Sequence, residues 1–392
     1  MKKAGIYLSI PFCRQKCTFC NFASDAYAVS LLNPYLRFLE TEVRQWTNLW
    51  RQAGIPSFLD TIDADTIYLG GGTPGLLNSE QLTRLLEAVR SAFQIEEEPE
   101  ITIEASPENA TAGQSASWAA CGINRVSMGV QSMVPQELRS VGRMHSPETV
   151  AQAFSALRNA GLENISADLI AGLPYQTAQS FQNSLQALLD LGPTHFSVYI
   201  LEVDEDSRLG REILENGSRY RASSVPSEEQ VVAFYCAAME LLRQAGFHHY
   251  EISNFARRGY ESRHNQKYWT GVPYFGFGVE AHSYDGERRW ANTDSLSAYL
   301  ERMQQGQSPI AAFRTLRPQE KLEEHIFLGL RQRQGISLSR LHTEFATDLR
   351  EIHGRQLHEF SESGWLETSE DILRLTDRGL LFSNEVFAGF LT

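Results

Sequence analysis

The chain has 392 residues, of which 42% are hydrophobic and 21% charged, a composition that excludes a disordered chain, a disulfide miniprotein and a coiled rod. At about 100–200 residues per domain, the length predicts two or three domains. With 35 basic against 48 acidic residues the net charge is −13, which excludes a nucleic-acid binder relying on bulk positive charge.

Apolar, β-branched runs mark strands at 6–10, 66–69, 101–104, 125–130, 165–170 and 196–201. Helical patterns at 34–50, 79–93, 147–160 and 178–191 separate most of them. Near-continuous apolar strands alternating with amphipathic helices predict an α/β fold with a parallel sheet of βα units. Six strands fall short of the eight of a closed barrel, so an incomplete barrel or open sheet is expected, with chemistry at the C-terminal strand ends. Those ends read PFCRQKC, GGGTP, EASPE, QS and GLP, polar or glycine-rich where such a fold places its active site.

A polar connection at 201–227 leads to a helix at 228–245 and an aromatic, histidine-rich segment at 248–284. A linker at 306–319 precedes three short helices and the hairpin-like WLETSEDILRLTDRG, an order that suggests a winged helix. The expected domains are therefore 1–205, 206–305 and 306–392. The winged-helix order invites a DNA-binding reading, but acidic residues interleave with its basic ones, and no nucleic-acid partner is expected. No run reaches the roughly 18–20 apolar residues that span a bilayer. The start Met1-Lys2-Lys3-AGIYLSIPF lacks a small-residue cleavage site and runs into CRQKCTFC, so it reads as a buried strand rather than a signal peptide.

Three of the five cysteines, Cys13, Cys17 and Cys20, lie on one loop as C-x3-C-x2-C directly after the first strand. An odd count crowded in this way is a poor disulfide framework and predicts a reducing, cytoplasmic setting. Three thiolates can hold three irons of a cubane cluster and leave the fourth open to a small molecule. Zinc is the alternative, although no nearby histidine completes a zinc site. Cys121 and Cys236 read as small core residues.

CRQKCTFC resembles the radical S-adenosylmethionine signature C-x3-C-x-aromatic-C, with Phe19 in the aromatic place. The resemblance implies a partial (β/α)6 barrel, followed by a smaller α/β segment and the winged-helix-like domain. It implies a [4Fe–4S] cluster on Cys13, Cys17 and Cys20, with S-adenosylmethionine chelating the open iron. Gly71, Gly72 and Thr73 of GGGTP match the turn that meets the cofactor's amino group in that family. Glu104, Gln131, Arg143 and Asp168 match positions contacting its ribose or methionine portion, and Tyr7 matches a tyrosine beside the cluster loop.

From Ile6 onward the chain resembles relatives of oxygen-independent coproporphyrinogen III oxidase, and within them the HemW-type haem chaperones. Phe22 stands where the oxidase carries a fourth cysteine. Only twelve residues precede Cys13, so the oxidase's longer N-terminal extension is not expected. HNQKYW (264–269) matches the H-N-x-x-Y-W motif associated with haem binding. The resemblance implies haem b on His264, beside Tyr268 and Trp269, for delivery to apo haem proteins of the respiratory chain, with transient peripheral membrane association and a homodimer. Arg257, Arg258 and Arg263 are placed in sequence to meet propionates. The plainer alternative is that His264 and Asn265 tie a loop while Tyr268 and Trp269 fill the core; His282 and the His248-His249 pair read as structural.

A competing reading is an enzyme that decarboxylates porphyrinogen propionates through a 5′-deoxyadenosyl radical; a third is a radical enzyme for an unrelated substrate. Two positions depart from the related sequences. Ser9 replaces a histidine before the first cysteine, which speaks against porphyrinogen oxidation. Glu280 replaces a smaller residue, with no consequence legible from the sequence.

Overall fold

The computed structural model describes residues 3–56 and 62–391, so Met1 and Lys2 of the basic start lie outside it. Six parallel strands, β1 (Ala4–Ile10), β2 (Asp63–Gly71), β3 (Gln94–Ala105), β4 (Arg125–Gln131), β5 (Asn164–Ala171) and β6 (His195–Ile200), lie side by side in chain order. Helices Leu32–Arg44, Ser79–Ala92, Ala112–Cys121, Pro147–Asn159 and Ala178–Leu191 fall between them in sequence. The helix Ser79–Ala92 shows why: a capping box between Asn78 and Gln81 starts it, and Leu82, Leu85, Leu86 and Val89 form its buried stripe. The helical pattern expected as one element at 34–50 is two helices, Leu32–Arg44 and Trp46–Gln52, because Gln45 leaves helical geometry at φ −109°, ψ 18°.

The strands alternate more strictly than expected. Ile6, Leu8 and Ile10 join the large apolar core with Ile67, Leu69, Ile101, Ile103, Val126 and Met128. The intervening positions are buried yet polar, among them Thr66, Glu100, Thr102, Arg125, Ser127, Ser166 and His195. A closed barrel fills its interior with branched aliphatics. This partial barrel keeps a polar inner face, so its strands are two-faced rather than continuously apolar.

Six further strands extend the same sheet. They are β7 (His248–Glu251), β8 (Asn254–Ala256), β9 (Tyr274–Phe277), β10 (His282–Tyr284), β11 (Arg288–Asn292) and β12 (Ile310–Thr315). The sheet order is β12-β11-β10-β9-β1-β2-β3-β4-β5-β6-β8-β7. Residues 206–305 therefore do not form a core of their own: Val231, Phe234, Phe275, Trp290 and Tyr299 pack into the core of the first six strands. A second core, running from Leu322 to Phe390, lies under the small sheet of β13 (Ile336–Ser337), β14 (Leu366–Ser369) and β15 (Ile372–Leu375), with the expected hairpin between β14 and β15. No helix among the described residues is long and apolar enough to cross a membrane.

Candidate functional site

The cysteine loop leaves β1 and is strapped at its base to the turn after β2. Gly72 N–H donates to Ile10 O at 2.9 Å, and Thr73 N–H to Phe12 O at 2.8 Å. A Cβ on Gly72 would stand 2.7 Å from Phe12 O, and Gly71 holds φ +104°, so both positions require glycine. The loop closes through Asp25, which accepts from Cys13 N–H at 2.9 Å and donates its own N–H to Pro11 O at 3.0 Å.

Each thiol has a polar neighbour from the loop's surroundings. Thr73 Oγ1 reaches Cys13 Sγ at 3.6 Å, Ser24 Oγ lies 3.8 Å from Cys20 Sγ, and Arg143 Nη1 donates to Cys17 Sγ at 3.8 Å. Burial raises the Cys13 and Cys20 thiols above their usual range. Thiolate character at this loop therefore needs positive charge, which a bound iron–sulfur cluster would supply and the arginine assists. Among the described residues no three His, Cys, Asp or Glu side chains, the loop thiols included, are placed to hold one metal ion.

The cysteines form one wall of a cavity of about 400 Å³ at the C-terminal strand ends. Every expected site residue lines it except Tyr7 and His264: Phe19 with the thiols, Gly71 from β2, Gly72 and Thr73 from the turn after it, Glu104 from β3, Gln131 from β4, Arg143 from beyond the helix Pro135–Ser140, and Asp168 from β5. Tyr7 backs the cavity, its ring stacked on Tyr68 at 6.0 Å.

Glu104 accepts from Tyr68 Oη at 2.8 Å and from Gly71 N–H at 3.2 Å. Burial pushes its carboxyl up to about 7, with the charge of Asp168 adding to the shift and the Tyr68 bond opposing it. Asp168, also raised by burial, accepts from Ser127 at 3.1 Å and Ser166 at 3.0 Å. Arg143 donates to Gly129 O, while its Nε, like Gln131 Oε1, is buried with no protein partner. Gln131 also holds a left-handed φ of 68°. Two carboxylates, an orphaned donor and an orphaned acceptor beside three thiols and a glycine cradle fit a polar cofactor carrying amino, carboxylate and hydroxyl groups on an iron–sulfur cluster.

His264 lies elsewhere. It sits in the helix Arg263–Trp269, fully buried, against Gly5 and Thr66 at the N-terminal ends of β1 and β2. Its Nδ1 pairs with Thr66 Oγ1 at 2.8 Å and its Nε2 with Tyr268 Oη at 2.9 Å. Burial lowers its pKa to about 3, helped by Lys267 and Arg125. Both ring nitrogens are engaged, so iron ligation at His264 requires one of these bonds to open. Of the three expected propionate partners, Arg258 is exposed, while Arg263 and Arg257 have partners in the protein. Arg263 bonds Asp65 at 3.0 Å and Glu98 O at 3.2 Å because its helix start abuts the acidic ends of β2 and β3. Arg257 stacks over Phe247 at 4.7 Å. Cys121 and Cys236, expected in the core, are half-buried.

The sequence did not expose Tyr68, Arg125 or Glu280 as members of this architecture. Tyr68 was visible as an inward position of β2, two residues before Gly70. Arg125, 1% exposed, carried no signal, because an arginine opening a strand ordinarily reads as solvated. Glu280 holds a left-handed φ of 59°, which explains why a small residue is usual there, and its carboxylate accepts Ala23 N–H at 2.8 Å just beyond the cysteine loop. Ser9 is 5% exposed and its carbonyl accepts from Tyr35 Oη at 2.6 Å.

Residues 7–188 match the family model of the radical SAM superfamily, and residues 316–382 that of the HemN C-terminal domain. Among curated proteins, the chain is 34% identical to the heme chaperone HemW of Bacillus subtilis, covering 100% of this chain and 99% of that one. It is 34% identical to the heme chaperone HemW of Synechocystis, over 97% and 95% of the two chains. Among solved structures, the radical SAM enzyme coproporphyrinogen III oxidase (HemN) from Escherichia coli shares the fold, with a TM-score of 0.85 at 23% identity over 100% of this chain and 90% of that one. Full-length identity at this level, together with the cysteine loop and its cavity, places the chain in the HemW family of radical SAM proteins.

Proposed function

We propose that this protein carries haem b and delivers it to apo haem proteins of the respiratory chain, on a scaffold that also holds a [4Fe–4S] cluster and S-adenosylmethionine. The observation that carries the cluster and cofactor part is the single cavity lined by Cys13, Cys17, Cys20, Glu104, Gln131, Arg143 and Asp168. Cys13, Cys17 and Cys20 hold the cluster, which supplies an electron-donating iron with an open position. Gly71 to Thr73 let backbone approach the cofactor, Glu104 and Asp168 accept from its hydroxyl or amino groups, and Gln131 and Arg143 offer their unpartnered atoms. Phe19 shields the cluster wall, and Tyr7 holds Tyr68 in place behind Glu104.

The haem part is supported by HNQKYW and by the curated HemW relatives. Ligation by His264 requires release from Thr66 or Tyr268. Delivery to respiratory proteins calls for transient contact with the cytoplasmic face of a membrane, and a homodimer is the expected carrier form. The test is anaerobic reconstitution followed by optical and paramagnetic resonance spectra, with and without haem. A cluster signal perturbed by S-adenosylmethionine and a saturable haem spectrum are expected. Conversion of coproporphyrinogen III to protoporphyrinogen by the same preparation would overturn the chaperone reading.

A further inference from the structure

The helix Arg263–Trp269 lies at the N-terminal ends of the barrel strands, opposite the cysteine loop. Ser262 caps it, and the N–H groups of Arg263 and His264 both donate to Glu100 at 2.9 Å. Side chains alternate along a strand, so Glu100 and Glu104 share the inward face of β3. From this first helical turn, two lines of side chains cross the barrel interior to the two carboxylates of the cavity beside the cysteine loop.

The first line is short. His264 lies against Tyr68 with ring centroids 5.1 Å apart, and Tyr68 Oη donates to Glu104 at 2.8 Å. Glu104 in turn accepts the N–H of Gly71 in the glycine turn.

The second line is a hydrogen-bonded chain. Ser262 N–H donates to Tyr250 Oη at 3.3 Å, and Tyr250 Oη pairs with His195 Nε2 at 2.8 Å. His195 Nδ1 pairs with Ser166 Oγ at 2.7 Å, and Ser166 donates to Asp168 at 3.0 Å. Because Ser166 gives its one proton to Asp168, its oxygen accepts from His195 Nδ1–H, and Nε2 is left to accept from Tyr250. Burial holds the His195 pKa well below its ordinary value, so the ring is neutral, as this one-way chain of donors requires.

Tyr68, Ser166, His195 and Tyr250 are all buried. Between the two lines lies Arg125, whose charge acts on both Glu100 and Asp168, and whose Nε and Nη1 have no hydrogen-bond partner among the described residues. Packing alone would fill this space with branched aliphatics, as in a closed barrel. Iron ligation by His264 opens its bond to Thr66 or Tyr268 and displaces the start of the helix. That movement withdraws the imidazole from Tyr68 and the Ser262 donor from Tyr250, and so loosens Glu104 and Asp168 at the far end.

We propose that haem ligation at His264 and S-adenosylmethionine binding at Glu104 and Asp168 oppose each other through these two lines, so that filling the cavity favours release of haem. The inference rests on the haem-carrying reading and adds its regulation. Tyr68, Ser166, His195 and Tyr250 are positioning residues in it, since they hold the carboxylates in place. Coupling between binding sites is reciprocal, so each ligand weakens the other by the same factor.

The test uses the reconstituted full-length protein under anaerobic conditions. The Kd for S-adenosylmethionine is measured by equilibrium dialysis with and without saturating haem b. The Kd for haem b is measured by optical titration with and without saturating S-adenosylmethionine. Each ligand is expected to weaken the other about fivefold or more, by equal factors. Tyr68→Phe and Tyr250→Phe each remove one hydroxyl and keep the ring, with circular dichroism confirming folding. Each is expected to lower the coupling factor about twofold or more, and the double variant to abolish it while both ligands still bind. A merely structural hydroxyl would shift the affinities and leave the factor between them unchanged. Wild-type affinities that are independent or mutually enhanced, or a coupling that survives in the variants, overturn the inference while the haem reading stands. Absence of saturable haem binding in the wild type overturns both.

Discussion

Glu280 and Ala23 are 257 residues apart in sequence, yet the carboxylate of one accepts the backbone N–H of the other at 2.8 Å. The bond fastens the turn after β9 to the segment that leaves the cysteine loop. Glu280 holds its left-handed backbone to do so, at a position where a side chain costs roughly 1 kcal/mol. Two effects therefore oppose each other on replacement by glycine: backbone strain is relieved and a loop tether is lost. Glu280→Gly is expected to keep or slightly raise thermal stability while cluster loss in air speeds up about two- to fivefold, as suits one lost hydrogen bond. Glu280→Gln, which keeps an acceptor, is expected to lose its cluster at nearly the wild-type rate. Decay of the iron–sulfur absorbance after reconstitution measures both.

Glu104, on the cavity beside the cysteine loop, has its carboxyl raised to about 7 by burial, so its charge changes near neutrality. Its ionised form is the stronger acceptor for hydroxyl and amino donors. Affinity for S-adenosylmethionine is therefore expected to rise between pH 6 and pH 8, and Glu104→Gln to flatten that dependence while lowering affinity about tenfold. Equilibrium binding at several pH values checks it; an unchanged slope in the variant removes Glu104 from the site.

Glu42 is a second buried carboxyl pushed up to about 7, here by burial alone and against three opposing hydrogen bonds. It accepts from Tyr299 at 2.6 Å, Asn292 at 2.7 Å and Gly278 N–H at 2.9 Å, fixing the turn that carries Glu280. Because its folded pKa exceeds the unfolded value, its contribution is complete below about 4.5 and is lost as pH rises to about 7. Between pH 5 and 8, Glu42→Gln should reduce that loss by about 2 kcal/mol, read from urea unfolding. Equal losses in wild type and variant would refute this account.

His264 has the opposite sign. Its folded pKa of about 3 lies below the ordinary 6.5, so the stability it contributes is present above 6.5 and is lost as pH falls toward 3. His264→Ala leaves Thr66 and Tyr268 without their partner in a sealed site and is expected to cost about 2–4 kcal/mol in urea unfolding. A cost below about 1 kcal/mol would show that the ring is not held as described.

Gly72 tests the base of the cysteine loop. Gly72→Ala pushes a methyl group against the carbonyls of Phe12 and Ile10, backbone atoms that cannot swing aside. Reconstituted iron content is expected to fall by at least about half, whereas Gly113→Ala, whose Cβ meets nothing within 4 Å, should leave it unchanged.

The local pattern carried the βα alternation, the hairpin of the C-terminal unit and most of the residues that line the cavity beside the cysteine loop. Those features depend on residues close in sequence or on strand ends, which a parallel fold gathers at one side whatever its details. The two-faced strands were harder to read, because Thr, Ser and a lone Arg125 inside a strand look like solvated positions until the inner face of the barrel is seen. The extension of the sheet beyond residue 205 was hidden for a related reason: strands β7 to β12 join it through pairings that leave no local signature.

What the sequence determined by itself is chemistry tied to spacing: three thiols on one loop, a glycine turn, and polar residues closing successive strands. What only the tertiary structure decided is which side chains are free to use. It closed His264 between Thr66 and Tyr268, committed Arg263 to Asp65, and left Arg143 Nε and Gln131 Oε1 unpaired on the cavity beside the cysteine loop. Sequence lists donors and acceptors; folding pairs most of them, and the few left unpaired beside a cavity are those available to a ligand.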